Sequence, residues 1–213
     1  MHIPDGLIAP QAFIAAGVVA VPFWVYAVRR VARDLDEQMI PRMAVLTALA
    51  FVLSTIMVPL PGGTSVHLTG IGLLVIAFGL WPAFLAFSLV LALQALLLGA
   101  GGITALPVNA LAMGLAGGAV VSGMHVLMGR RKSFWSVVVP VLCGVAAAAL
   151  LLALVLGLQP WLASDAEGQP LFFPFGPKVT LPVIVLPHLV IGLAEGVLSW
   201  VVLSTLEARK VPT

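Results

Sequence analysis

Charge is the scarcest thing in this sequence. Only 8% of its 213 residues are Asp, Glu, Lys or Arg, against about 25% in an ordinary soluble domain. That excludes a water-soluble fold of this size. The single cysteine, Cys143, excludes a disulfide within the chain and a multi-thiolate metal site. It sits in an apolar run and reads as a small core residue. No glycine-rich loop ends in Gly-Lys-Ser or Gly-Lys-Thr, so the chain has no nucleotide site of its own. His-Glu-x-x-His and Gly-x-Ser-x-Gly are also missing, which removes two hydrolase signatures. No basic surface with interleaved aromatics points to nucleic acid. The first residues carry Asp5 but no Lys or Arg before Arg29. They do not form a secretory signal, and Met1 is expected to stay the first residue of the mature protein.

What the sequence has instead is apolar length. It is 62% hydrophobic, with a mean hydropathy of +1.18. Apolar runs of about 20 residues recur from end to end, which is the length a membrane helix needs. They do not alternate apolar and polar residues as a membrane barrel would. The expected fold is all-α: one integral membrane domain over residues 1–213 with seven transmembrane helices. The spans fall at about 8–28, 43–60, 68–80, 82–98, 108–128, 134–158 and 180–206. The third and fourth are divided at Gly79 and Trp81-Pro82, because proline disfavours helix before itself and clashes within one.

Basic residues test that division. Arg29, Arg30, Arg33 and Arg42 follow the first span, and Arg130, Arg131 and Lys132 follow the fifth. Both segments should be cytoplasmic, which needs an even number of crossings between them. Splitting 68–98 gives four. Arg209 and Lys210 after the seventh span agree, so the N-terminus is expected outside and the C-terminus inside.

This topology sets the opening stretch, Met1-His2-Ile3-Pro4-Asp5-Gly6, on the outer face with the loop that carries His67. A histidine directly after the first residue brings three nitrogens within chelating reach. They are the α-amine of Met1, the amide nitrogen of His2 and a His2 ring nitrogen. The amine titrates near ~8 and imidazole near ~6.5, so both offer lone pairs around neutrality. The amide must lose its proton, which calls for a strongly polarising ion that accepts a flat nitrogen set, such as Ni²⁺ or Cu²⁺. A fourth ligand must come from elsewhere, and His67 is the candidate. The bland alternative is a frayed terminus and a headgroup-level loop histidine.

Other polar residues are few. Glu195 lies mid-span and is a functional candidate by depth alone; it reads as a structural acid facing the bundle or as a metal ligand. His188 is seven residues earlier on the same face. Gln94 and Asn109 read as amides that bridge helices, and His125 as interfacial. Thr64 and Ser65, beside His67, complete the set that could surround the site. Small residues pair at four-residue spacing at Ala16 and Ala20, Ala44 and Ala48, Gly114 and Gly118, and Gly192 and Gly196. Such spacing serves packing within the bundle or docking on a partner helix.

Several motifs together resemble a known family. They are the opening hexapeptide, Gly62-Gly63-Thr64-Ser65-Val66-His67, Gln94-Ala95-Leu96-Leu97, Asn109 with Ala112-Met113-Gly114, and Pro187-His188 through Glu195-Gly196. In order along the chain they resemble the substrate-binding membrane component of nickel/cobalt energy-coupling-factor transporters, the CbiM/NikM type. The resemblance implies seven spans and a Ni²⁺ or Co²⁺ site made by the Met1 amine, the amide and side chain of His2, and His67. It implies residence in the cell inner membrane and three kinds of partner: a transmembrane coupling protein, a pair of cytoplasmic ATPases and a small accessory membrane subunit. Val66 and Leu68 around His67 depart from some members, which leaves the choice between nickel and cobalt open. Two other classes remain: an intramembrane hydrolase or lipid-modifying transferase using His188 and Glu195, and a channel. The first lacks a recognised nucleophile, and the second lacks pore-lining polar residues.

Overall fold

The computed structural model describes residues 2–34 and 36–208. Helix α1 (Pro10–Asp34) and helix α2 (Met39–Thr55) come first. A hairpin follows, with β1 (Val58–Leu60) antiparallel to β2 (Thr64–Val66) and Leu60 opposite Thr64. Next are the short α3 (Ile71–Phe78) and α4 (Leu80–Leu93), which continues in wide π-type turns through Gln94–Leu98. Helix α5 (Leu106–Asn109), a second π-wound stretch (Ala110–Gly117) and α6 (Gly118–Leu127) form one continuous rod. The chain closes with α7 (Phe134–Gly157), the single turn α8 (Gln159–Leu162) and α9 (Pro177–Ala208). Among the described residues five helical stretches are long and apolar enough to cross a membrane. Helix α2, with 17 residues, is a shorter apolar helix, and α3 has only eight. Arg209 and Lys210 lie outside the described residues.

The hairpin corrects the expectation of helix alone and of a second span reaching residue 60. Pro59 and Pro61 cannot continue a helix. Gly62 and Gly63 take φ of 86° and 81°, a left-handed turn that closes the strands.

Glycines set the tightest packing. A Cβ at Gly196 would meet the Val138 backbone at 2.9 Å, and one at Gly144 would meet the Gly117 carbonyl at 2.7 Å. Gly114 faces Phe84, Gly118 faces Leu80, and Gly192 faces Val145. These four-residue pairs therefore serve the bundle itself. Ala44 and Ala48 instead line an outward apolar groove between α2 and α4. Helix α1 is peripheral: it buries Ala20, Ala27 and Val31 and leans on α4 through Trp24, whose indole N–H donates to Ser88 at 2.9 Å. Its Val18, Val19 and Val21 point outward, as lipid-facing residues do.

The bundle has two chemically distinct ends. At one, Lys132 pairs with Glu207 beside Arg42, and Arg30, Asp34 and Met39 share a recess with Gly79 and Trp81. At the other, the N-terminal arm, the hairpin loop and the 99–107 connection come together.

Candidate metal centre

The arm is buried before the first helix begins. Ile3 and Ala9 are fully inaccessible, and each is held by a side-chain amide. Asn109 accepts from the Ile3 N–H at 3.0 Å and donates to its carbonyl at 3.1 Å. Gln159 accepts from the Ala9 N–H at 2.8 Å. Asp5 takes the backbone N–H groups of Ile103 and Thr104 at 3.0 and 2.9 Å, and the Thr104 hydroxyl as well. Burial opposes the Asp5 carboxylate, but these bonds outweigh it and hold the group below its ordinary pKa. The Leu7 carbonyl accepts from Phe173 at 3.3 Å. The 99–107 connection can approach only because it is glycine there. Gly101, at φ 77°, would put a Cβ 3.2 Å from that of His2, and Gly102 would collide with Asp5.

These clamps seat His2 against His67. The ring centroids are 4.3 Å apart with a 32° tilt, and the residues are 2% and 1% exposed. His67 Nδ1–H donates to the Leu68 carbonyl at 2.9 Å, which leaves its lone pair on Nε2. Neither His2 nitrogen, nor His67 Nε2, has a hydrogen-bond partner among the described residues. Burial pushes the His2 pKa down to about 3 and that of His67 well below its ordinary value. Both rings are therefore neutral at pH 7 and offer lone pairs. Two buried imidazoles with unused nitrogens form a nitrogen donor pair that suits a late transition-metal ion.

Glu195 holds the His67 loop from below. Its carboxylate accepts the Thr69 N–H at 2.6 Å, the Thr69 hydroxyl at 2.8 and 2.9 Å, and the Gly72 N–H at 3.4 Å. An acid there also meets the open N–H groups of α3, whose first turn starts inside the bundle. His188 Nδ1–H donates to the Ile184 carbonyl at 2.5 Å, and Nε2 is buried without a partner among the described residues. Among the described residues His188 and Glu195 do not hydrogen-bond to each other, as an acid–base pair would. Thr64 is buried on β2 with an unpartnered hydroxyl among the described residues, and Ser65 sits opposite Pro59. Met1 lies outside the described residues. Among those described, no three His, Cys, Asp or Glu side chains converge on one point.

Gln94 bridges helices as expected, donating to Ser54 at 2.6 Å. Asn109 does not: it clamps the arm. Asp5 and Gln159 were not singled out by the sequence reading. The available signal for Gln159 was a lone amide ending an apolar run, the pattern that marks Gln94 and Asn109.

Comparisons with known proteins identify the family. The family described as CbiM, cobalt uptake substrate-specific transmembrane region, matches residues 2–212. The fused nickel transport protein NikMN of Rhodobacter capsulatus is 37% identical over 94% of the chain and 61% of its own length. The probable fused nickel transport protein LarMN of Lactiplantibacillus plantarum is 34% identical over 100% of the chain and 66% of its own length. The chain thus spans less than two thirds of these relatives. A crystal structure of a truncated transition metal transporter superposes with a TM-score of 0.94 at 38% identity, covering 98% of this chain and 99% of that one. These relatives are metal transport proteins. The chain is a multi-pass membrane protein and belongs to the CbiM family of cobalt-uptake substrate-specific transmembrane regions.

Proposed function

We propose that this chain, as one integral membrane unit, binds Ni²⁺ or Co²⁺ at its extracytoplasmic end and delivers the ion in an ATP-driven uptake system. The observation that carries this reading is the buried pair His2 and His67, 4.3 Å apart with unused ring nitrogens. The ligand set is the Met1 amine, the amide and a ring nitrogen of His2, and His67 Nε2. Such a flat nitrogen set suits Ni²⁺ and Co²⁺ better than a hard oxygen-preferring ion. The names of the relatives support metal transport. They also support an accessory partner, because those relatives are called fused and extend beyond the matched region. With no phosphate-binding loop in this chain, ATP hydrolysis belongs to a cytoplasmic ATPase pair, connected by a transmembrane coupling protein.

Isothermal titration of the purified chain is the direct test. Ni²⁺ or Co²⁺ should bind one to one, while Mg²⁺ should not. Vesicles holding the chain alone should not concentrate the ion. Concentration without ATP and partners would make it a secondary transporter instead.

The proposed topology has seven crossings with the N-terminus outside and the C-terminus inside. The third crossing combines residues 68–70 with α3. Irregular backbone at that depth is tolerated when protein surrounds it, and Thr69 and Gly70 are both buried. The clustering of Arg30, Arg42 and Lys132 at one end supports this reading. Single cysteines placed at 36, 131 and 61 in a Cys143→Ala background give the check. The first two should be labelled only after the membrane is opened, and the third in intact cells. Labelling of 36 and 61 from the same side would overturn the topology.

A further inference from the structure

We propose that Gly101 is a specificity-determining residue: it seats His2 so that the His2 and His67 rings reach one ion at right angles, which favours Ni²⁺ over Zn²⁺. This rests on the reading of both histidines as ligands.

The separation of the rings carries the angle. An imidazole nitrogen sits about 2.0 Å from an ion that it binds, so its ring centroid lies about 3.1 Å from that ion. Two such rings on adjacent corners of a square or an octahedron have centroids about 4.4 Å apart. At the tetrahedral angle they are about 5.1 Å apart, and on opposite sides of the ion about 6.2 Å. The observed separation is 4.3 Å. It matches right-angled neighbours and neither alternative. The proposed chelate asks for the same placing. The Met1 amine and the His2 ring take the corners on either side of the His2 amide nitrogen, so His67 takes the corner opposite the amide and lies beside the His2 ring.

Both rings are backed by fixed backbone. Thr69, two residues after His67, is anchored on Glu195 at 2.6 Å, and the Leu68 carbonyl holds His67 Nδ1–H at 2.9 Å. Asn109 grips Ile3, next to His2, through bonds of 3.0 and 3.1 Å. Against the His2 side chain itself stands Gly101. A Cβ there would lie 3.2 Å from His2 Cβ and 3.4 Å from its Cγ, so His2 would have to yield by a few tenths of an ångström. A change of about 0.3 Å in ring separation turns the angle at the ion by about 8°. Selectivity between such ions comes from geometry rather than raw affinity. Ni²⁺ in a flat nitrogen set depends on the right angle, whereas Zn²⁺ has no angular preference from its d-electrons and favours a tetrahedron.

Competitive titration of the purified full chain with Ni²⁺ and Zn²⁺ is the test. The native chain should prefer Ni²⁺. Gly101→Ala should weaken Ni²⁺ binding by about 10–100-fold, the usual effect of disturbing what supports a ligand. It should weaken Zn²⁺ far less, so the ratio of the two affinities falls. General destabilisation would lower both together and leave the ratio. Gly99→Ala is the control. Gly99 shares the positive φ, 61° against 77°, but an added Cβ there meets nothing within 4 Å. It imposes the backbone strain without the contact and should keep the native ratio. Gly101→Asn carries the same Cβ on a residue that visits positive φ more readily, and it gives the result if Gly101→Ala does not fold. A ratio that neither Gly101 variant moves, or that Gly99→Ala lowers equally, overturns the role of Gly101 while Ni²⁺ binding by the native chain still stands. A native chain that binds Zn²⁺ as tightly as Ni²⁺ overturns the right angle, and one that binds neither ion refutes the metal function itself.

Discussion

One residue added before Met1 is expected to abolish most Ni²⁺ binding while leaving the fold intact. The addition converts the Met1 amine into an ordinary amide and moves the free terminus out of the chelate. Both imidazoles remain, but the five-membered ring between the amine and the His2 amide nitrogen is lost. Without it, the amide has little to drive its deprotonation. The His2 ring is already neutral, since burial pushes its pKa to about 3, so no compensating proton release at the imidazole is available. His67→Ala should have a comparable effect by opening the fourth position in a pocket where water has little access. Loss of a supporting partner alone costs about 10–100-fold in affinity, so each of these changes should exceed about 100-fold. The thermal midpoint of the metal-free protein should move little in either case. Titration calorimetry with Ni²⁺ and Co²⁺, run on native, extended and His67→Ala proteins, makes the comparison. Equal affinity of the extended and native proteins would refute the terminal chelate and turn attention to His188 Nε2, the other buried unpaired imidazole nitrogen among the described residues.

The His2–His67 pairing was legible because its signals are local or simple to count. A histidine after Met1 sets three nitrogens within chelating reach by covalent connection alone, and counting basic residues between apolar runs put it at the same end as His67. The helices were legible from apolar length, and their ends from Pro and Gly. What stayed hidden depends on which surfaces meet. Nothing in the residues near Asn109 says that its amide grips Ile3 rather than a neighbouring helix. The partnership is set by an arm that folds back across 106 positions of sequence. Asp5 and Gln159 escaped for the same reason. The hairpin was missed because a three-residue strand inside an apolar protein has too little length to show alternation. Residues 68–70 are assigned helical length by hydropathy, and hydropathy does not distinguish a loop inside the bundle from a turn of helix.

Glu195→Ala is the second change with a large expected effect, and its signature should be the reverse of the first. The carboxylate receives the Thr69 and Gly72 N–H groups and the Thr69 hydroxyl, all in the interior. Removing it orphans these donors in a place water does not reach, at about 1–3 kcal/mol for each unsatisfied group. The expected outcome is a marked fall in the thermal midpoint of the metal-free chain, unlike His67→Ala. Metal binding should weaken as a consequence, because Thr69 is two residues from His67 and the loop loses its anchor. Glu195→Gln should be milder: its carbonyl still accepts from one donor group, while its NH₂ opposes the other. Thermal unfolding in detergent, paired with Ni²⁺ titration, separates the two possible roles of this acid. A Glu195→Gln protein with native stability and no Ni²⁺ affinity would make Glu195 a ligand. Lost stability with binding that recovers at low temperature makes it the anchor of the His67 loop.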